Sequence, residues 1–162
     1  MNNYKRLIFI NLMVACLAAS SGLAADVQPG KLGPNDKCPV CGMFVAKYPD
    51  FVAQIGFKDG SHAYFDGVKD MMKYYFELAK YNPAKTRADI THIWVTDYYS
   101  MKLMNGFRAF YVIGSDVYGP MGKELIPFTD IAAAKEFKVD HKGRAILSFQ
   151  DITPAIIKAL DQ

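Results

Sequence analysis

Two thiols and a thioether stand within one short run, Cys38-Pro39-Val40-Cys41-Gly42-Met43. Donors of this kind favour Cu(I) over hard cations, and a thioether is a poor partner for zinc. Cys41 is the leading ligand candidate, with Cys38 and Met43 beside it. Met121 stands in Gly119-Pro120-Met121-Gly122, where a glycine- and proline-rich loop gives a large apolar side chain no core to fill; it reads as a further ligand. Met101 and Met104 form a pair at helical spacing, with core and ligand roles weighing equally. Met71 and Met72 belong to an amphipathic stripe and read as core.

The same spacing supports other chemistries. C-P-x-C-G is half of a zinc ribbon, but the second cysteine pair is absent. The three histidines, His62, His92 and His141, form no spaced pair. A closed zinc site would need scattered ligands or a second chain. A c-type haem is excluded because Gly42, not histidine, follows Cys41. A thioredoxin-type motif should follow a buried strand and open a helix; here a loop precedes it and Tyr48-Pro49-Asp50 turns the chain soon after. Two alternatives stay open, a thiol–disulfide protein using Cys38 and Cys41 and a zinc-stapled binding module. As a loop pair, both thiols are expected to be accessible and to close on oxidation, so that copper loading is redox-gated. No Ser-His-Asp set, phosphate-cradling loop or carboxylate pair appears, and the protein is not expected to be an enzyme. Asp66, Asp97, Asp130 and Asp151 lie at element ends and read as caps and turns. His92 shares a strand face with Ile90 and Trp94 and reads as packed and hydrogen-bonded. His62 is a weak ligand candidate, and His141 reads as solvated.

The N-terminus explains the compartment. Lys5 and Arg6 precede an apolar run from Leu7 to Ala19, and Gly22-Leu23-Ala24 supplies a small-residue cleavage site. Residues 1–24 read as a signal peptide, which implies export to the periplasm. A rival reading is a lipoprotein signal with lipid on Cys16. No later stretch is apolar enough to span a bilayer. Of 19 basic residues, 17 remain after the signal, against 16 acidic ones, so there is no basic stripe for nucleic acid. With 51% hydrophobic residues, the remainder can build a real core.

The elements after the linker, residues 25–37, must position this chemistry. Alternation from Phe51 to Phe57, the turn Lys58-Asp59-Gly60 and a strand from Ser61 to Phe65 predict a hairpin. Asp66 is read as N-cap of a helix through Val68, Met71, Met72, Tyr75, Phe76 and Ala79. Ile90 to Thr96 is a β-branched strand. The second half repeats the order: a strand from Phe107 to Ile113, a loop from Gly114 to Gly122, a strand from Lys123 to Phe128, a helix capped by Thr129, and a strand from Ala145 to Phe149. Thr153-Pro154 opens a short C-terminal helix. The expected fold is α+β, two similar ββαβ units in tandem (38–100 and 101–162) plus that helix.

The residues also resemble a known family. Cys41-Gly42-Met43, the segment from Phe65-Asp66 to Lys69-Asp70, Val95-Thr96-Asp97, the run from Ala109 to Ser115, Met121-Gly122, Pro127-Phe128-Thr129-Asp130 and Asp151-Ile152 are similar, in order, to the NosL family. That family comprises copper-binding accessory proteins of nitrous oxide reductase. The resemblance implies two ββαβ units, a Cu(I) carrier in the periplasm and a copper-accepting partner enzyme. It also implies a ligand set falling on Cys41 and a methionine, Met121 first. The sequence departs from the family in its extra Cys38, in Tyr98 where a methionine is expected, and in a poor lipoprotein box.

Overall fold

The structure, a computed structural model, describes residues 28–162. The expected signal peptide and Cys16 lie outside the described residues. Strands β1 (Ala53–Phe57) and β2 (His62–Phe65) form the expected hairpin. Helices α1 (Val68–Phe76) and α2 (Leu78–Tyr81) follow, then β3 (Ile90–Thr96) and β4 (Leu103–Asn105). The second half contains β5 (Phe110–Gly119), β6 (Gly122–Phe128), α3 (Ile131–Asp140), β7 (Ala145–Ser148) and α4 (Pro154–Leu160). Two antiparallel sheets result, ordered β2-β1-β3-β4 and β6-β5-β7. The fold is α+β, with a ββαβ order in each half.

The larger core is shared between the halves. Ile55, Phe65, Met71, Met72 and Ile93 pack with Tyr111, Ile113 and Leu125. Alternate residues of β5 and β6, Val112, Ile126 and Phe128, turn the other way onto Ala134 and Phe137 of α3. The second sheet is therefore covered on both faces, which is why its central strands read as continuous apolar runs. A polar clasp joins the halves: Asp97 accepts hydrogen bonds from the N–H of Ser100 (2.8 Å) and of Thr129 (2.7 Å).

Several expectations are corrected. Met101 and Met104 are not on a helix: Met104 lies in β4, paired to Val95, and Met101 sits at φ 58 in the preceding turn. The segment from Gly114 to Gly122 is mostly strand. The ladder slips between Ile113 and Tyr118 and then resumes, so glycine and aspartate mark an irregularity rather than a loop. Phe107 lies in a 3-10 turn (Gly106–Arg108) before β5, not in the strand. Helix α3 is capped by Asp130, which accepts from the N–H of Ala132, and not by Thr129. At α4, Thr153 does cap, accepting from the N–H of Ile156.

Candidate metal centre

The chain folds Cys38–Met43 into a tight knuckle. The Cys38 N–H bonds to the Met43 carbonyl at 2.9 Å, and the Gly42 N–H bonds to the Cys38 carbonyl at 2.8 Å. Gly42 takes φ +79, a left-handed conformation that glycine adopts without steric cost. Lys37 and Phe44 close the base as a β-bridge. The turn aims backbone N–H groups at sulfur, those of Val40 and Cys41 at Cys38 and that of Met43 at Cys41. Such donors support a thiolate once it forms.

The other wall of the centre is the first turn of α1. Asp70 lies in that turn and Asp66 just before it, ahead of the extended Gly67, and the two carboxylates converge on the knuckle. Asp66 does not cap α1; the N-cap is Gly67, with no side-chain cap from its own segment. Instead Asp66 accepts from the Cys41 thiol, with Sγ 3.2 and 3.4 Å from its two oxygens. Cys38 Sγ lies 3.7 Å from Asp70 Oδ2. The ligand atoms of Cys38, Cys41, Asp66 and Asp70 all fall within 4.8 Å of one another.

Glu124, reaching over from β6, does the capping that Asp66 does not. Its Oε1 accepts from the backbone N–H of Lys69 (2.5 Å) and of Leu125 (2.9 Å). Burial pushes its carboxyl up to about 8, although those N–H groups and Lys69 oppose the rise. The Lys69 ammonium donates to the Met121 carbonyl at 2.7 Å and pairs with Asp161 at 3.2 Å. The turn bearing Met121 is thus tied to the helical turn that carries Asp70.

Both thiols are free. Cys38 is 1% exposed and Cys41 half-buried, which corrects the expectation of an accessible loop pair. Burial pushes the Cys38 thiol up to about 11, with the Cys41 and Val40 N–H groups pulling the other way. Cys41 is raised further, first by burial and then, against the Met43 N–H, by Cys38, Asp66 and Asp70. In the metal-free protein these are protonated thiols, and metal must displace their protons.

The knuckle, its thioether and the order of segments around it agree with the family comparison, in which the NosL family model matches residues 29–157. The chain belongs to the NosL family. It is 26% identical over 141 residues to the copper-binding lipoprotein NosL of Stutzerimonas stutzeri, covering 82% of this chain and 70% of the relative. The crystal structure of the copper chaperone NosL from Shewanella denitrificans has the same fold, with a TM-score of 0.67, 20% identity, and coverage of 79% of this chain and 97% of that one. The solution structure of apo-NosL from Achromobacter cycloclastes aligns with a TM-score of 0.46 and 27% identity over 65% of this chain and 87% of that one.

Within this NosL fold, Cys38 and Cys41 converge and Met43 sits half-buried at the end of the knuckle. Met121 is 42% exposed at the tip of the β5–β6 hairpin, whereas Met71 and Met72 are fully buried. Met104 accepts a hydrogen bond from the Thr129 hydroxyl. None of the histidines joins the four converging groups. His62 stacks on Tyr64. His92 stacks on Trp94, and its Nδ1 is buried without a hydrogen bond, contrary to the expected packed and bonded histidine. His141 is not simply solvated: it contacts Asp116 and stacks on Phe137. Sequence reasoning missed Asp66 and Asp70 as members of the centre. No local signal set them apart, because the thiols they face are 25 and 32 residues away in sequence.

Proposed function

We propose that this protein is a periplasmic Cu(I) carrier that hands its metal to a copper enzyme, nitrous oxide reductase by the family's association, and that it performs no catalysis of its own. The observation that carries this reading is the sulfur knuckle: two converging thiols, backbone N–H groups aimed at them, and Met43 at its end. The names of the relatives support it, one a copper-binding lipoprotein and one a copper chaperone. Among the described residues no helix is long and apolar enough to cross a membrane. Attachment, if the S. stutzeri relative is a guide, is through lipid on Cys16.

Cys41 is the principal ligand, with Cys38, Met43 and Met121 completing the sulfur set. Cu(I) accepts low coordination, so an acceptor's ligand can join before a donor leaves. A neutral thioether is the weaker donor and the natural first ligand to release. The test is Cu(I) titration of reduced protein against a chromophoric chelator. Cys41→Ser should lose more than about 100-fold in affinity, since even partners outside the ligand sphere cost 10–100-fold. Parent-like affinity in that variant overturns the assignment.

A further inference from the structure

One face of the sheet β2-β1-β3-β4 gathers polar atoms that the sulfur knuckle does not use. Among the described residues, four buried side-chain nitrogen or oxygen atoms have no hydrogen bond, and three of them lie here: Gln54 Oε1, His92 Nδ1 and Trp94 Nε1. Native folds leave few such groups, so a cluster of them calls for a partner. The register brings them together. Gln54 of β1 pairs with Tyr64 of β2 and Trp94 of β3, and Gly56 pairs with His62 and His92. Directly paired residues stand on one face, and the alternate residues Ile55 and Ile93 turn to the core. Gln54 is 1% exposed, so its amide oxygen cannot turn to bulk water.

Between the two histidines the sheet presents only Gly56. A Cβ built there would lie 3.5 Å from His62 Nε2 and 3.8 Å from His92 Cβ, with nothing nearer. The two rings therefore flank a cradle that a methyl group would fill. Gly30 backs the His62 ring so closely that a Cβ on it would fall 2.7 Å from the imidazole, and the Tyr64 hydroxyl ties that segment down by donating to the Lys31 carbonyl at 3.2 Å. Such backing holds a ligand ring in one orientation. We propose that His62 Nε2, His92 Nδ1 and Gln54 Oε1 bind a borderline divalent cation, Zn(II) or Cu(II), in the cradle over Gly56. Imidazole suits both ions, and metal–nitrogen bonds of about 2.0–2.1 Å let an ion occupy a methyl-sized space. Trp94 Nε1 only donates, so it is left to hold a water or anion that completes the ion's shell. The site has no sulfur ligand and is separate from Cys38–Met43. It stands whether or not the knuckle carries copper.

The probe is Zn(II), titrated into the reduced full chain and followed at the ring nitrogens by long-range proton–nitrogen NMR, which reports each histidine apart from the thiols. His62 Nε2 and His92 Nδ1 should shift together and saturate at a common concentration, with His141 unmoved as the control for adventitious binding. His92→Gln should weaken Zn(II) at His62, and His62→Gln at His92, by more than about tenfold. Gly56→Ala adds only contacts of 3.5 Å and longer, so the fold should hold while the paired shift is lost. Should that variant not fold by circular dichroism, the two histidine variants decide. Cu(I) titration of His92→Gln should match the parent. Rings that do not shift overturn the proposal and leave water as the partner of the three atoms. A His62 shift unchanged by His92→Gln, or an equal shift at His141, means adventitious binding only and overturns it equally. Loss of Cu(I) affinity in His92→Gln would merge the two sites and overturn their separation.

Discussion

The two halves build the same strand–helix junction and use it differently. In the first, Tyr64-Phe65-Asp66 leads into α1, and Asp66 is fully buried against a thiol. In the second, Pro127-Phe128-Thr129-Asp130 leads into α3, and Asp130 is exposed and caps the helix. Helix α1 buries Val68, Lys69, Asp70, Met71, Met72 and Tyr74, whereas α3 buries only Ala134 and Phe137. The difference lies in who satisfies the helix N-terminus. Because Glu124 of β6 takes the Lys69 N–H, Asp66 is released from capping and can face the knuckle. The second half thus serves the first by freeing its carboxylate and by presenting the Met121 turn.

The harshest way to break this arrangement is to remove Glu124. Glu124→Ala leaves the buried Lys69 and Leu125 N–H groups without their acceptor, at about 1–3 kcal/mol for each unsatisfied group. We expect a total loss of about 2–4 kcal/mol in chemical denaturation. Glu124→Gln keeps an acceptor and should be mild. The pair also reads out pH. The Glu124 carboxyl is raised from its ordinary 4.5 to about 8, so the folded state holds a proton that the unfolded state has lost. Its contribution is complete below pH 4.5 and is lost as pH rises to about 8. Parent stability should therefore fall across that window more than that of Glu124→Gln. Parallel pH profiles for the two proteins would show that Glu124 is ionised in the folded state.

Asp130→Ala should cost about 1 kcal/mol, the usual loss of an N-cap, with metal titrations unchanged. Asp66→Ala should show the reverse pattern, a smaller change in unfolding free energy than Asp130→Ala and an altered metal titration. Equal destabilisation by both, with metal binding intact, would mean that Asp66 is a cap after all.

These contrasts also mark what the sequence made legible. Strand β3 was readable to its ends because five of its seven residues, Ile90, Thr91, Ile93, Val95 and Thr96, are β-branched. Strand β4 was not, because Leu103–Asn105 is defined only by its pairing with β3. The far half of β5 was hidden because Gly114 and Asp116 punctuate a strand that slips register instead of ending. Cys38 and Cys41 announced themselves by spacing, since the knuckle is local. Asp66 looked like a cap because local chemistry favours that role; its true partner is 25 residues away in sequence. Glu124 was invisible for the same reason, lying 55 residues from Lys69.

The smallest expected change in stability tests whether the second half contributes a ligand as well as support. Met71 is fully buried in the shared core, whereas Met121 is 42% exposed on the hairpin tip. Met71→Leu roughly conserves volume and should cost less than about 1.5 kcal/mol while leaving Cu(I) affinity intact. Met121→Leu changes little packed surface on so exposed a side chain, so its melting temperature should match the parent's. Its thioether is nonetheless carried on a turn whose carbonyl is held by Lys69, next in sequence to Asp70. If that tether brings the sulfur to the knuckle, Met121→Leu weakens Cu(I) in chelator competition. Unchanged Cu(I) affinity would confine the copper ligands to Cys38–Met43 and reduce the second half to a scaffold. Loss of Cu(I) affinity in Met71→Leu instead would mean that a packing residue and a ligand have been exchanged.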